Sequence, residues 1–110
     1  MKPKTLSEAC AIADGWTFDG EMWKVPDGVE TNVAPSYRLY DANLTERFKR
    51  KAIDEGFYTD YLIWVLARVA RTGVLDNHTI AEASLTIQLR ASLAVILDVP
   101  AAEAMGWEEV

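Results

Sequence analysis

Thr79-x-x-Glu82 and Pro100 bracket the segment that most limits how this chain folds. A hydroxyl followed three residues later by a glutamate is a capping box that opens a helix, and proline cannot simply continue one, so the spacing predicts a helix over 80–97. At about 100° per residue its apolar side chains fall on two faces. Ile80, Ala83, Ile87, Ala91 and Ala94 share one; Leu85, Leu89, Leu93 and Ile96 lie nearly opposite, with polar strips between. A surface helix needs only one apolar stripe. A helix with two is either sandwiched inside its own domain or shared between a core and a second molecule. On the second branch Leu85, Leu89, Leu93 and Ile96 are the self-association face of a homo-oligomer.

The other elements follow from local chemistry. Thr5-Leu6-Ser7-Glu8 is a second capping box and Gly15 stands at a C-terminal cap position, which predicts a helix over 6–13. Trp16-Thr17-Phe18 and Met22-Trp23-Lys24-Val25 flank Asp19-Gly20, the pattern of a β-hairpin over 16–25. Pro26-Asp27-Gly28 then breaks the strand, and the aperiodic stretch over 26–42 reads as a surface loop long enough to make contacts. Asn43 with Glu46 opens a helix over 44–55, where Leu44, Phe48 and Ala52 share a face and Gly56 closes the segment. The apolar stretch after Thr59, with Thr72-Gly73 beyond it, reads as a helix over 60–71, and the tail from Ala101 as a helical turn ending at Gly106 before an exposed acidic end, Glu108-Glu109. The expected fold is α+β: one small domain over 1–110, a β-hairpin packed with about four helices as a sandwich.

At 110 residues, half of them hydrophobic and a quarter charged, the composition is that of one globular domain. Its net charge of −6 repels phosphate backbones and anionic lipid and suits a basic partner. The apolar run from Tyr61 to Ala67 falls well short of the roughly 20 residues that span a bilayer. Basic Met1-Lys2-Pro3-Lys4 lacks the apolar run of a secretory signal, and one cysteine, Cys10, forms no internal disulfide. A cytoplasmic location is expected.

The residues for familiar active-site chemistry are scarce. His78 is the only histidine, and no serine or cysteine with a supporting motif is recognisable near it in sequence. One His with one Cys assembles no ordinary zinc site, and no Asp-x-Asp-x-Asp-Gly calcium loop occurs. The six glycines are single and scattered, so they punctuate elements rather than cradle a phosphate. No enzyme, cofactor or metal is therefore expected. Arg47, Arg50 and Lys51 project together from a helix and are candidates for a small anionic ligand, or for ion pairs with Glu46, Asp54 and Glu55. Asp19, Glu21, Asp27 and Glu30 line the hairpin and loop as a candidate protein-binding surface, with Trp23 in the hairpin and Trp107 near the tail as the expected exposed anchors.

One ordered set of short motifs resembles a known family. Gly15-Trp16, Trp23-Lys24-Val25-Pro26-Asp27-Gly28 and Pro35-Ser36-Tyr37 leading into Asp41-Ala42-Asn43-Leu44 look like the small phage and prophage proteins of the phage ABA sandwich domain type. Leu89-Arg90-Ala91 and Gly106-Trp107-Glu108-Glu109 stand where that family has an Arg-Ala pair in an Ala-rich helix and a Gly-Trp-Glu-Glu-like tail. The resemblance implies a phage or prophage origin and a small α+β sandwich, and supplies no catalytic residues. With size and acidity, it leads to the expectation of a phage accessory protein in the host cytoplasm. Such a protein would bind a host protein with a basic surface and inhibit a nucleic-acid-binding defence complex in the manner of an anti-CRISPR. The alternatives are an oligomeric module for a small anionic ligand such as a signalling nucleotide, or a phage protein of unassigned role. Neither membrane nor direct nucleic-acid binding is expected.

Overall fold

The computed structural model describes residues 2–57, 60–61 and 85–110. Most of the helix expected over 60–71, His78, Trp64 and the Thr79–Glu82 capping box lie outside the described residues.

Helix α1, Leu6–Ala13, is opened by the expected capping box: Thr5 Oγ1 accepts the Glu8 N–H at 3.1 Å, and Glu8 Oε2 accepts the Thr5 N–H at 3.3 Å. The other early donors are met by the far end of the chain. The Leu6 N–H reaches the Glu108 carbonyl at 2.8 Å and the Ser7 N–H reaches that of Val110 at 3.2 Å, while the Glu108 N–H returns to the Lys4 carbonyl. Each of the first three amides of α1 thus has a partner. Leu6, Ala9, Cys10 and Ala13 belong to the main core, and the small side chains of this helix allow neighbouring elements to approach closely.

Beyond α1 the chain turns through Gly15 at φ +95, where an added Cβ would meet Pro26 Cγ at 3.3 Å. It enters a three-stranded antiparallel meander of β1 (Thr17–Phe18), β2 (Trp23–Lys24) and β3 (Glu30–Thr31), with β2 in the middle. Thr17 pairs with Lys24 and Phe18 with Trp23; Trp23 then pairs with Thr31 and Lys24 with Glu30. Strand β3 corrects the expectation of an aperiodic loop over 26–42. Pro26-Asp27-Gly28 acts as a hairpin turn rather than as a breaker, with Gly28 at φ +96 and the Val25 N–H donating to Val29 O at 2.9 Å.

Helix α2, Ala42–Asp54, begins two residues earlier than expected. Asp41, rather than Asn43, is its N-cap, accepting the Asn43 N–H at 2.8 Å. Thr45, Phe48 and Ala52 form its buried stripe, and Gly56, at φ +87, closes it. Helix α3, Leu85–Leu97, packs against α1, α2 and the short helix α4, Ala101–Met105. Six consecutive residues of α3, Leu89 to Ala94, are buried. Six consecutive residues cannot all lie on one face of a helix, so the middle of α3 is surrounded by its own domain, while residues 85–88 and 95–97 are half-buried. The expectation of a self-association face therefore needs correction: Leu89 and Leu93 are fully buried in the core, with Leu85 and Ile96 half-buried at its margin.

Asp98 ends α3 in the left-handed region, φ 53, and the Val99 N–H returns to Ala94 O at 3.0 Å. Glycine takes this conformation most easily, aspartate at a small cost and a β-branched residue at a large one. Asp98→Gly is expected to raise stability by about 0.5 kcal/mol and Asp98→Val to lower it by about 1 kcal/mol or more, read from urea unfolding midpoints. The reverse order would show that the left-handed cap is not held in solution.

Candidate binding surface

The meander is held by aromatic packing on one face. Phe18 and Trp23 rings stack with centroids 4.8 Å apart, and Trp16 meets Trp23 edge-on at 6.3 Å. Trp23, expected as an exposed anchor, is instead 4% exposed, because its register places it beside Phe18 on the covered side. Trp107 is likewise buried, at 3%, and pins the tail into the core. Neither ring is available to a partner.

The opposite face and the two turns carry the charge. Asp19 Oδ1 accepts the N–H groups of Glu21 and Met22 at 2.8 and 2.7 Å, and Asp27 Oδ1 accepts that of Val29 at 3.0 Å. Both aspartates therefore shape their turns while staying exposed. The Met22 and Glu21 amides hold the Asp19 carboxyl below its ordinary range, so it is charged at neutral pH. Asp19 and Glu21 sit at the β1–β2 turn, Asp27 at the opposite end of the meander, and Glu30 on β3 opposite Lys24. Among the described residues none of these four carboxylates forms a salt bridge. Four carboxylates against the ammonium of Lys24 leave residues 16–36 at −3. Val29 and Val33, exposed at 58% and 68%, add apolar surface along β3 and just beyond it.

The basic cluster is largely used within the fold. Arg47 grips Asp14 with both terminal nitrogens, at 2.8 and 3.1 Å, while its guanidinium lies over the Phe48 ring at 4.5 Å. Lys51 Nζ donates to the Ala13 carbonyl at 2.9 Å and lies 3.9 Å from Glu55. Arg50 is drawn toward Glu46, at 3.7 Å. Two of the three cations thus face the carboxyl end of α1, which has no basic residue in its own last turn. There they meet the negative end of the helix dipole and the carboxylate added to it by Asp14. The three do not converge on one open anion position.

A groove of about 480 Å³ was not evident from the sequence, since it joins Tyr37 to Asp41 with Glu109 and Val110. Its rim includes Tyr40, 69% exposed, whose hydroxyl donates to Glu109 Oε2 at 2.8 Å. Glu109 also lies 3.5 Å from Arg90, a buried residue whose other terminal nitrogen donates to the Ala104 carbonyl at 2.6 Å. Glu109 is therefore tied down through its carboxylate, and both Glu108 and Glu109 are exposed as expected. Tyr37, Asp14 and Arg47 form a chain of hydrogen bonds beside Cys10. Burial pushes the Cys10 thiol up to about 12, so it stays protonated and a weak nucleophile. Among the described residues no group of His, Cys, Asp and Glu is placed to hold a metal ion, and no helix is long and apolar enough to cross a membrane. No family model, curated protein or solved structure matches the chain.

Asp14 gives the cluster between α1 and α2 a pH signature. Burial pushes its carboxyl up, but hydrogen bonds from Arg47 and Tyr37 and the charges of Arg47 and Lys51 outweigh it, leaving the group below its ordinary value of 3.8. The unfolded chain then takes up this proton first as pH falls. The contribution is present above the unfolded value and lost as pH drops through the folded one. Asp14→Asn is expected to flatten the fall of stability on acidification below about pH 4, measured by urea unfolding at stepped pH; an unchanged slope would contradict the assignment.

Proposed function

We propose that this chain is a protein-binding module that docks a basic partner through its acidic meander. One observation carries the reading: Arg47 and Lys51 of α2 are engaged with the end of α1, whereas Asp19, Glu21, Asp27 and Glu30 stay exposed without an ion pair among the described residues. Exposed carboxylates on a chain of net charge −6 draw a cationic surface toward them and repel polyanions. In the phage setting implied by the resemblance, the fitting target is a host protein of a defence complex whose groove is built for nucleic acid. Carboxylates seated in that groove stand where phosphates would, and occupancy is inhibition.

The test neutralises charge while keeping the turns. Asparagine retains the side-chain oxygen through which Asp19 and Asp27 accept backbone N–H groups, so Asp19→Asn, Glu21→Gln, Asp27→Asn and Glu30→Gln combined preserve the meander. Wild type and this variant are immobilised in parallel and exposed to a bacterial lysate at low and high salt. Proteins held by wild type at low salt should be retained about tenfold less by the variant and released by salt. Equal retention by both proteins, or retention indifferent to salt, would reject the acidic-surface reading.

A further inference from the structure

The hydrogen-bond phase of the meander determines which way the backbone of β3 faces. In an antiparallel ladder, opposed residues alternate between pairs that exchange both N–H···O bonds and pairs that exchange none. The Val25 N–H donates to Val29 O, and Trp23 pairs with Thr31. Between these, the Lys24–Glu30 pair is of the second type. Lys24 therefore turns its N–H and C=O toward β1, and Glu30 turns both of its groups away from β2. Strand β3 is the last strand of the sheet, Glu30 is exposed, and its N–H and C=O have no hydrogen-bond partner among the described residues. The side chains alternate with the same phase. Glu30 lies on the face of Lys24, while Thr31 lies on the face of Trp23, with exposed Val29 and Val33 on either side of it along the chain.

We propose that the open edge of β3 receives an extended segment of the partner protein as a fourth, antiparallel strand, with a lysine or arginine opposite Glu30 and apolar residues on either side of it. The inference rests on the acidic-surface reading and states how that surface is used. Charge complementarity selects the occupant. The two residues of β3 offer a short hydrogen-bonding edge, too short to hold a neutral strand firmly. A basic residue opposite Glu30 adds a cross-strand ion pair, and the carboxylate of Asp27 lies at the adjacent turn. Val29 and Val33 meet the apolar positions of the incoming strand. An acidic strand places like charges opposite Glu30 and is excluded.

The test uses the full chain, isotopically labelled for NMR, and acetyl-Thr-Val-Lys-Val-Lys-Val-Thr-amide as the probe at low ionic strength. Binding should move the amide resonances of Glu30 and Asn32 and slow exchange of the Glu30 N–H. Methylating the backbone nitrogens of both lysines keeps the charge but removes the strand donors, and should weaken binding about fivefold or more. Glu30→Lys, an exposed substitution that leaves the core intact, should weaken the parent peptide by a similar factor. Equal binding of the methylated peptide, or shifts confined to the Asp19–Glu21 turn, would overturn strand addition while leaving a purely electrostatic surface in place. No binding of either peptide would also overturn it, and the charge-neutralised variant above then decides the acidic-surface reading independently.

Discussion

The ion pair between Asp14 and Arg47 closes the carboxyl end of α1 and ties it to α2, which itself packs on α3. An eight-residue helix is too short to persist in water on its own hydrogen bonds, so its stability comes from what covers its faces and ends. Its amino end is covered by the Thr5–Glu8 box and by carbonyls from Glu108 and Val110; its carboxyl end is covered by Arg47 and Lys51. Asp14 alone at that end would be unfavourable, since a carboxylate there faces the negative pole of the helix. The bidentate Arg47 contact reverses the sign, and the Tyr37 hydroxyl, donating to the same carboxylate, draws the segment leading into α2 over the pair.

That structural use of cations shapes the surface. Arg47 and Lys51 tie α2 to the end of α1, and Arg90 sits buried against the Ala104 carbonyl, holding the tail. Negative charge is left outward on the meander, where aspartates form turns through backbone N–H groups and still present an exposed carboxylate. The meander is thus both stiffened and charged by the same side chains. Its attachment through Trp16, Trp23 and the Gly15–Pro26 contact keeps the aromatic bulk inside and the polar rim outside.

Short-range chemistry was the legible part. The capping box at Thr5 and Glu8, the glycines at 15 and 56, and the stop at Pro100 act between residues a few positions apart, and each appears where its spacing predicts. Asp41 and Asn43 are equally good caps, so local sequence does not rank them, and the structure uses Asp41. Strand β3 was hidden by its length, since two strand residues have no visible period. The fates of Trp23, Leu89 and Leu93 depend on which face of each element is covered, a tertiary fact. Arg47 illustrates the limit best. The sequence allows an anionic ligand or pairing within its own helix, yet its partner lies 33 residues away, and nothing local distinguishes a cation awaiting a ligand from one already paired.

The coupling between Asp14 and Arg47 therefore tests the account most directly. A double-mutant cycle of Asp14→Asn and Arg47→Gln, measured by urea unfolding at neutral pH and moderate salt, should give an interaction of about 1 kcal/mol, because the contact is bidentate and Asp14 is mostly covered. Additive effects within error would contradict the account, since Arg47 would then be free for a ligand rather than part of the frame.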